Sequence, residues 1–199
     1  MAERGVFIVL EGIDGAGKTE ASRRLAAFVR ERGRRVVETR EPTDGAWGRR
    51  YRAWARGEAD ADATPDLVLR FFIEDRREHV ATTIAPALAD GAVVICDRYL
   101  YSTLAYQAAQ GLDRDALAKR MAAESFPEPD LVLWLRLPVA QALARLGQDA
   151  TERFEKREFL QRVDAEYQAL GLDAIDASGT PEQVAAALQV RVAALLSGG

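Results

Sequence analysis

Apolar residues gather in five short runs, at 6–11, 35–39, 92–97, 130–137 and 172–175, and between these runs they return every three or four positions. Such runs suit strands buried on both faces, and the intervening periodicity suits amphipathic helices. Their alternation predicts an α/β fold, a parallel sheet with helices on both faces. Local signals place the helices. Ala21, Leu25 and Val29 share one face of a helix from about Lys18 to Arg32, which Gly33 stops. Thr64-Pro65 supplies a cap and first-turn proline for a long helix through Leu88, and Gly91 resets the chain for the third strand. Ser125 to Pro129 breaks the chain before the fourth strand, and Thr180-Pro181 opens an alanine-rich last helix. No repeat, low-complexity stretch or linker divides the sequence, which predicts one domain over 1–199.

The first apolar run, Val6 to Leu10, leads directly into Gly12-Ile13-Asp14-Gly15-Ala16-Gly17-Lys18-Thr19, a match to G-x-x-x-x-G-K-[ST]. Three glycines let the backbone wrap a polyphosphate, with several N–H groups aimed inward at the mouth of a helix whose dipole also favours anions. Lys18 adds a point charge at the β- and γ-phosphates, and Thr19 offers a hydroxyl to Mg²⁺. The chain carries only three Lys, at positions 18, 119 and 156, against 24 Arg. An otherwise Arg-using sequence thus keeps Lys where a compact ammonium suits a phosphate cradle.

Bulk composition narrows the partners. With 48% hydrophobic residues the chain is long enough to bury one core. A net charge of −4 gives no chain-wide basic footprint, so small anionic ligands are expected rather than nucleic acid. The single cysteine, Cys96, permits no internal disulfide and reads as core packing. No leader-like segment or long apolar span appears, which predicts a cytoplasmic protein that does not enter membranes.

In an open α/β sheet, ligands gather at the carboxyl ends of the strands. There the sequence supplies the glycine loop after strand one, Arg40-Glu41-Pro42 after strand two and Asp97-Arg98-Tyr99 after strand three. Guanine-reading GTPases need an asparagine-containing loop, and the chain has no Asn. Asp97 is followed by Arg98, a group that stabilises phosphoryl charge, where hydrolytic motors usually place a second acid; transfer is favoured over hydrolysis.

Taken together, Glu11 to Thr19, Thr39-Arg-Glu-Pro42, Phe72-x-x-x-Arg76, Pro86-Ala-Leu88, Asp97-Arg-Tyr99, Ser102-x-x-Ala-Tyr-Gln107 and Arg153-Phe-Glu155 resemble the thymidylate kinase family, which phosphorylates dTMP with ATP and Mg²⁺. The resemblance implies a three-layer P-loop kinase fold with a five-stranded parallel sheet, a short lid at 147–155 and a homodimer. It implies that Gly12, Asp14, Gly15, Ala16, Gly17, Lys18 and Thr19 surround the ATP phosphates, that Thr19 and Asp97 hold Mg²⁺, and that Arg98 bridges donor and acceptor phosphates. Asp14 would accept from the deoxyribose 3′-hydroxyl or else stabilise its own loop, and Arg40 would grip the dTMP phosphate, with Arg52 beside it. Phe72 would lie on the thymine ring, although spacing alone does not separate it from Phe71, and Arg76 would reach the carbonyl edge of the base. Ser102 and Gln107 would contact the base, while Tyr106 would fill the space beside the 2′ carbon. Because Gly15-Ala16 is neutral, the lid would supply the missing cation from Arg153. Two departures stand out: Glu20 replaces the usual small hydroxyl residue, and Thr43-Asp44-Gly45 replaces Gly-Gly-Thr. His79 reads as structural. A kinase for another nucleoside monophosphate or a deoxynucleoside, or a nucleotide-binding module without catalysis, is the alternative reading.

Overall fold

A computed structural model describes residues 5–147 and 157–197. Its five strands, β1 (Val6–Glu11), β2 (Val36–Arg40), β3 (Val93–Asp97), β4 (Leu131–Arg136) and β5 (Asp173–Asp176), lie parallel in the order β2-β3-β1-β4-β5. All five coincide with the apolar runs to within a residue or so. On β1, Ile8 and Leu10 pack into a core with α1 (Lys18–Arg30) and the C-terminal helices, while Phe7 and Val9 pack the other way with Val94, Cys96 and Tyr99. Burial on both faces is why this strand has no polar alternation.

Nine α-helices are described, the others being α2 (Ala46–Ala55), α3 (Pro65–His79), α4 (Ala85–Ala89), α5 (Leu100–Ala109), α6 (Arg114–Ala123), α7 (Val139–Leu146), α8 (Arg157–Ala169) and α9 (Pro181–Ser197). The expected caps are present. Thr64 accepts from the Leu67 N–H at 3.3 Å ahead of Pro65, and Thr180 and Gln183 exchange hydrogen bonds at the start of α9. The long helix expected through Leu88 is interrupted: α3 and α4 are joined by a π-helical stretch, Val80–Ile84, in which the Ala85 N–H reaches back to the Val80 carbonyl. Pro86 lacks the N–H that a regular α-helix would use, and a widened turn accommodates the loss.

The loop after β2 is anchored from α3. Asp75 accepts from the Thr43 N–H at 2.8 Å and from the Thr43 hydroxyl at 2.6 Å, and α2 presses against the same loop through Gly48. A Cβ at Gly48 would stand 2.0 Å from the Thr43 carbonyl oxygen and 2.9 Å from Asp75 Oδ1. Gly to Ala within a helix ordinarily stabilises by up to about 1 kcal/mol. Here the clash should reverse that sign, so Gly48→Ala is expected to lower stability by about 1–3 kcal/mol in urea unfolding. A higher midpoint would show that the loop yields freely.

Candidate active site

The register places Leu10 of β1 opposite Asp97 of β3, and Asp97 opposite Arg40 of β2. The glycine loop, the Arg-Glu-Pro loop and the Asp-Arg-Tyr turn therefore leave the sheet side by side. Gly15 and Gly17 take φ of +81° and +87°, and a Cβ at Gly15 would fall 2.6 Å from the Ala142 carbonyl oxygen. Glycine is required here by both backbone conformation and the close approach of α7. Ala16 is buried and donates its N–H to the Ile13 carbonyl, and Gly12 sits against the Leu135 carbonyl.

Lys18 is buried, and its ammonium donates to the Ile13 carbonyl at 2.9 Å, poised across the loop. Thr19 Oγ1 donates to Asp97 Oδ2 at 2.8 Å. These two hard oxygen donors stand together at the loop, and among the described residues no group of three or more His, Cys, Asp or Glu is arranged to hold a metal ion. One carboxylate with one hydroxyl fits Mg²⁺, which keeps several waters and takes phosphate oxygens as its other ligands.

Arg98 has φ +72°, and its guanidinium spans the site: Nη2 donates to Asp14 Oδ1 at 2.5 Å and to the Tyr106 hydroxyl at 3.2 Å, and Nη1 donates to Ser102 Oγ at 3.0 Å. The Tyr106 hydroxyl in turn donates to Asp14 Oδ2 at 3.0 Å. Burial alone would raise the Asp14 carboxyl, but the charges of Arg98 and Lys18 outweigh it and hold the group below its ordinary range. Arg98 stays cationic despite its own burial, chiefly because of Asp14.

Four cavities meet around this loop: one of about 350 Å³ opens beside Thr19, Arg40 and Asp97 towards Ser22 and Asp44, and three others form a continuous set. The central one, about 580 Å³, is lined by Lys18, Thr19, Arg40, Arg52, Asp97 and Arg98 among others. A smaller one of about 110 Å³ shares Asp14, Pro42, Arg52 and Arg98 with it and is walled by Tyr51, Phe72, Ser102 and Tyr106. On the far side, a third of about 260 Å³ runs from Gly17 and Glu20 to Arg145, Ala177, Gly179, Pro181 and Val184. Arg145 donates to the Ala177 carbonyl at 3.0 Å, and its other terminal nitrogen lies 4.0 Å from where a Cβ at Gly17 would stand.

Phe71 is wholly buried against Trp47, whereas Phe72 lines the small cavity with its ring 4.5 Å from that of Tyr51. Arg40 is exposed and paired with Asp44 at 3.0 Å, and Arg52 donates to the Pro42 and Thr43 carbonyls. Two of the expected base contacts do not line the small cavity. Arg76 is 1% exposed, and its guanidinium is bound to Glu41 at 2.6 Å and to Thr103 at 2.9 Å, between Tyr99 and Phe126. Glu41, just past the strand end, claims Arg76 as its counter-charge, and His79 bonds its other oxygen at 2.9 Å. Gln107 is wholly buried one turn beyond Thr103, off the face that Ser102 and Tyr106 present, and its amide has no hydrogen-bond partner among the described residues. Arg153, and the expected lid beyond Gly147, lie outside the described residues.

Some participants went unassigned from sequence: Tyr51, Arg145, Tyr167 and Glu11. Only Glu11 left a signal, as an acid that closes an otherwise apolar strand.

Burial, then the charge of Arg98, push Lys18 down to about 8 from 10.5, against the pull of Asp97, Asp14 and Glu11. Between those values the unfolded chain holds a proton that the native chain lacks, so this residue adds stability as pH rises from about 8 towards 10.5. Affinity moves the other way, because the neutral amine no longer attracts phosphate. ATP binding measured with EDTA should weaken roughly 5- to 30-fold between pH 7.5 and 9.5, and Lys18→Met should flatten the profile. A wild-type profile as flat as the variant's would overturn this assignment.

The thymidylate kinase family model matches residues 10–187 of this chain. The thymidylate kinase of Xanthomonas campestris pv. campestris (strain B100) is 48% identical over 187 residues, spanning 90% of this chain and 79% of that protein. That of Xanthomonas euvesicatoria pv. vesicatoria (strain 85-10) is 45% identical over 186 residues, 90% of this chain and 80% of the relative. The probable thymidylate kinase of Pyrococcus horikoshii is 45% identical over 164 residues, 80% of this chain and 78% of the relative.

Proposed function

The chain belongs to the thymidylate kinase family, and from that premise we propose how its residues transfer the γ-phosphoryl group of ATP to dTMP, giving dTDP. The observation that carries the proposal is the continuity of the three cavities through the Lys18 loop: a triphosphate seated centrally has one apolar space for its own base and a second, aromatic space for an acceptor.

In this reading the amides from Gly12 to Thr19 and the Lys18 ammonium hold the β- and γ-phosphates, and the donor base enters the space bounded by Arg145, Ala177 and Val184. The acceptor base lies on Phe72, its sugar beside Tyr106 and Asp14. The Tyr106 hydroxyl is fixed from two sides by Arg98 and Asp14, so its ring cannot swing away to admit a 2′-hydroxyl. Arg40 and Arg98 present the acceptor phosphate, whose oxygen attacks the γ-phosphorus directly while the ADP oxygen leaves in line. No protein nucleophile takes part. Mg²⁺ bound at Thr19 and Asp97 would neutralise charge on the phosphates. Ser102 shapes the cavity wall, and Arg52 steers from the Pro42 and Thr43 carbonyls. Arg153 as a lid cation, a homodimeric assembly and a cytoplasmic setting complete the proposal; no helix among the described residues is long and apolar enough to cross a membrane.

ADP formation measured with dTMP, dUMP, dCMP, dGMP and thymidine should show clear preference for dTMP. Arg98→Ala is expected to lower kcat by about 10²- to 10³-fold. Arg40→Ala should raise the KM for dTMP by roughly 10-fold or more while leaving that for ATP nearly unchanged, as loss of a bidentate phosphate contact would. Preference for another acceptor would refute the substrate, and ATP binding without turnover of any acceptor would refute the kinase.

A further inference from the structure

Glu11 has no role in the chemistry above, yet it is the most heavily bonded carboxylate beside the site. Its side chain is wholly buried at the end of β1. Oε1 accepts the N–H groups of Tyr99 at 2.9 Å and Ser102 at 3.1 Å, and Oε2 accepts the hydroxyls of Ser102 at 2.5 Å and Tyr167 at 2.9 Å. A buried carboxylate satisfied by four neutral donors is expensive to assemble and rigid once assembled.

What that rigidity holds is Arg98. Its φ of +72° lies in the left-handed region, which costs a non-glycine residue about 1 kcal/mol or more. The peptides on either side of its Cα are pinned to consecutive residues of β1: the Arg98 N–H donates to the Leu10 carbonyl at 2.9 Å, and the Tyr99 N–H donates to Glu11. At the far end of the side chain, the Ser102 hydroxyl that receives Arg98 Nη1 donates to Glu11 Oε2, as does the Tyr167 hydroxyl on α8, whose oxygen lies 2.8 Å from that of Ser102. One carboxylate thus fixes both the backbone turn and the guanidinium.

We propose that Glu11 is a positioning residue for phosphoryl transfer: its carboxylate holds the left-handed turn at Arg98 and, through Ser102 and Tyr167, the direction of the Arg98 guanidinium. The proposal rests on the kinase reading. A glutamine can still accept the two backbone N–H groups, but its NH₂ cannot accept the hydroxyl protons, so Arg98 keeps its turn and loses its aim.

The test is a double-mutant cycle of Glu11→Gln with Arg98→Ala, read as kcat with radiolabelled ATP, beside ATP affinity by calorimetry. Glu11→Gln should lower kcat about 10- to 100-fold with the ATP Kd held within about 2-fold, and in the Arg98→Ala background it should cost less than about 2-fold more. A merely structural role would give multiplicative losses, or an ATP Kd that rises in step with the loss of kcat, and either result would overturn the proposal. Should Glu11→Gln fail to fold by circular dichroism, Ser102→Ala and Tyr167→Phe each remove one link, and the same cycle with Arg98→Ala decides by the same criterion. A wild-type chain that does not phosphorylate dTMP defeats the kinase reading and this inference together, whereas an active wild type with multiplicative variants defeats this inference alone.

Discussion

The register of β1 against β3 governs everything near the phosphate loop. Pairing Leu10 with Asp97 brings Thr19, on the first turn after β1, within 2.8 Å of the Asp97 carboxylate, and brings Asp14 to Arg98 from the opposite side of the loop. Side chains alternate along a strand, so a slip of one residue would turn Asp97 away from Thr19 and bury Glu11 among the wrong neighbours. The apolar faces on both sides of β1 prevent that slip, since Ile8 and Leu10 fill one core while Phe7 and Val9 fill the other. Packing that has no chemistry of its own therefore sets the distance between the two charged clusters that do.

A second layer of buried charge supports the first. Thr39, His79, Glu41, Arg76 and Thr103 form a chain of hydrogen bonds that crosses from β2 through α3 to α5. Removing one member of a buried pair leaves an uncompensated charge, which costs far more than the pair contributes. The chain therefore behaves as a tie between the Arg-Glu-Pro loop and α5, the helix that carries Ser102 and Tyr106. It also explains why Arg76 faces inward, since Glu41, the acid just past β2, takes its guanidinium.

This marks where the sequence was legible and where it was not. Strands, caps and the phosphate loop are written in local patterns: apolar runs, Thr-Pro starts, glycines at fixed offsets. Phe72 facing the cavity and Phe71 the core follow from their offset of about 100° around one helix, but the pattern on α3 is apolar at both positions and gives no vote. Arg76 and Gln107 were placed by family spacing alone, and spacing cannot tell which of two acceptors, a ligand or Glu41, takes a guanidinium. The partnership of Glu11 with Tyr167 spans 156 residues, and no local signal encodes it.

The two arginines proposed to present the acceptor phosphate differ in what holds them. Arg98 is largely buried and anchored at Asp14, Ser102 and Tyr106. Arg40 is more than half exposed, and its described partner is Asp44, itself 77% exposed. An exposed ion pair is worth about 0–1 kcal/mol, so on the proposed reading a phosphate dianion would displace Asp44 at little cost and gain a bidentate contact in exchange. Arg52 sits beside the same aspartate at 3.3 Å with its other contacts made to backbone carbonyls, which leaves it aligned when Asp44 moves aside. On the proposed reading, Asp44 would hold the place of the acceptor phosphate until the substrate evicts it.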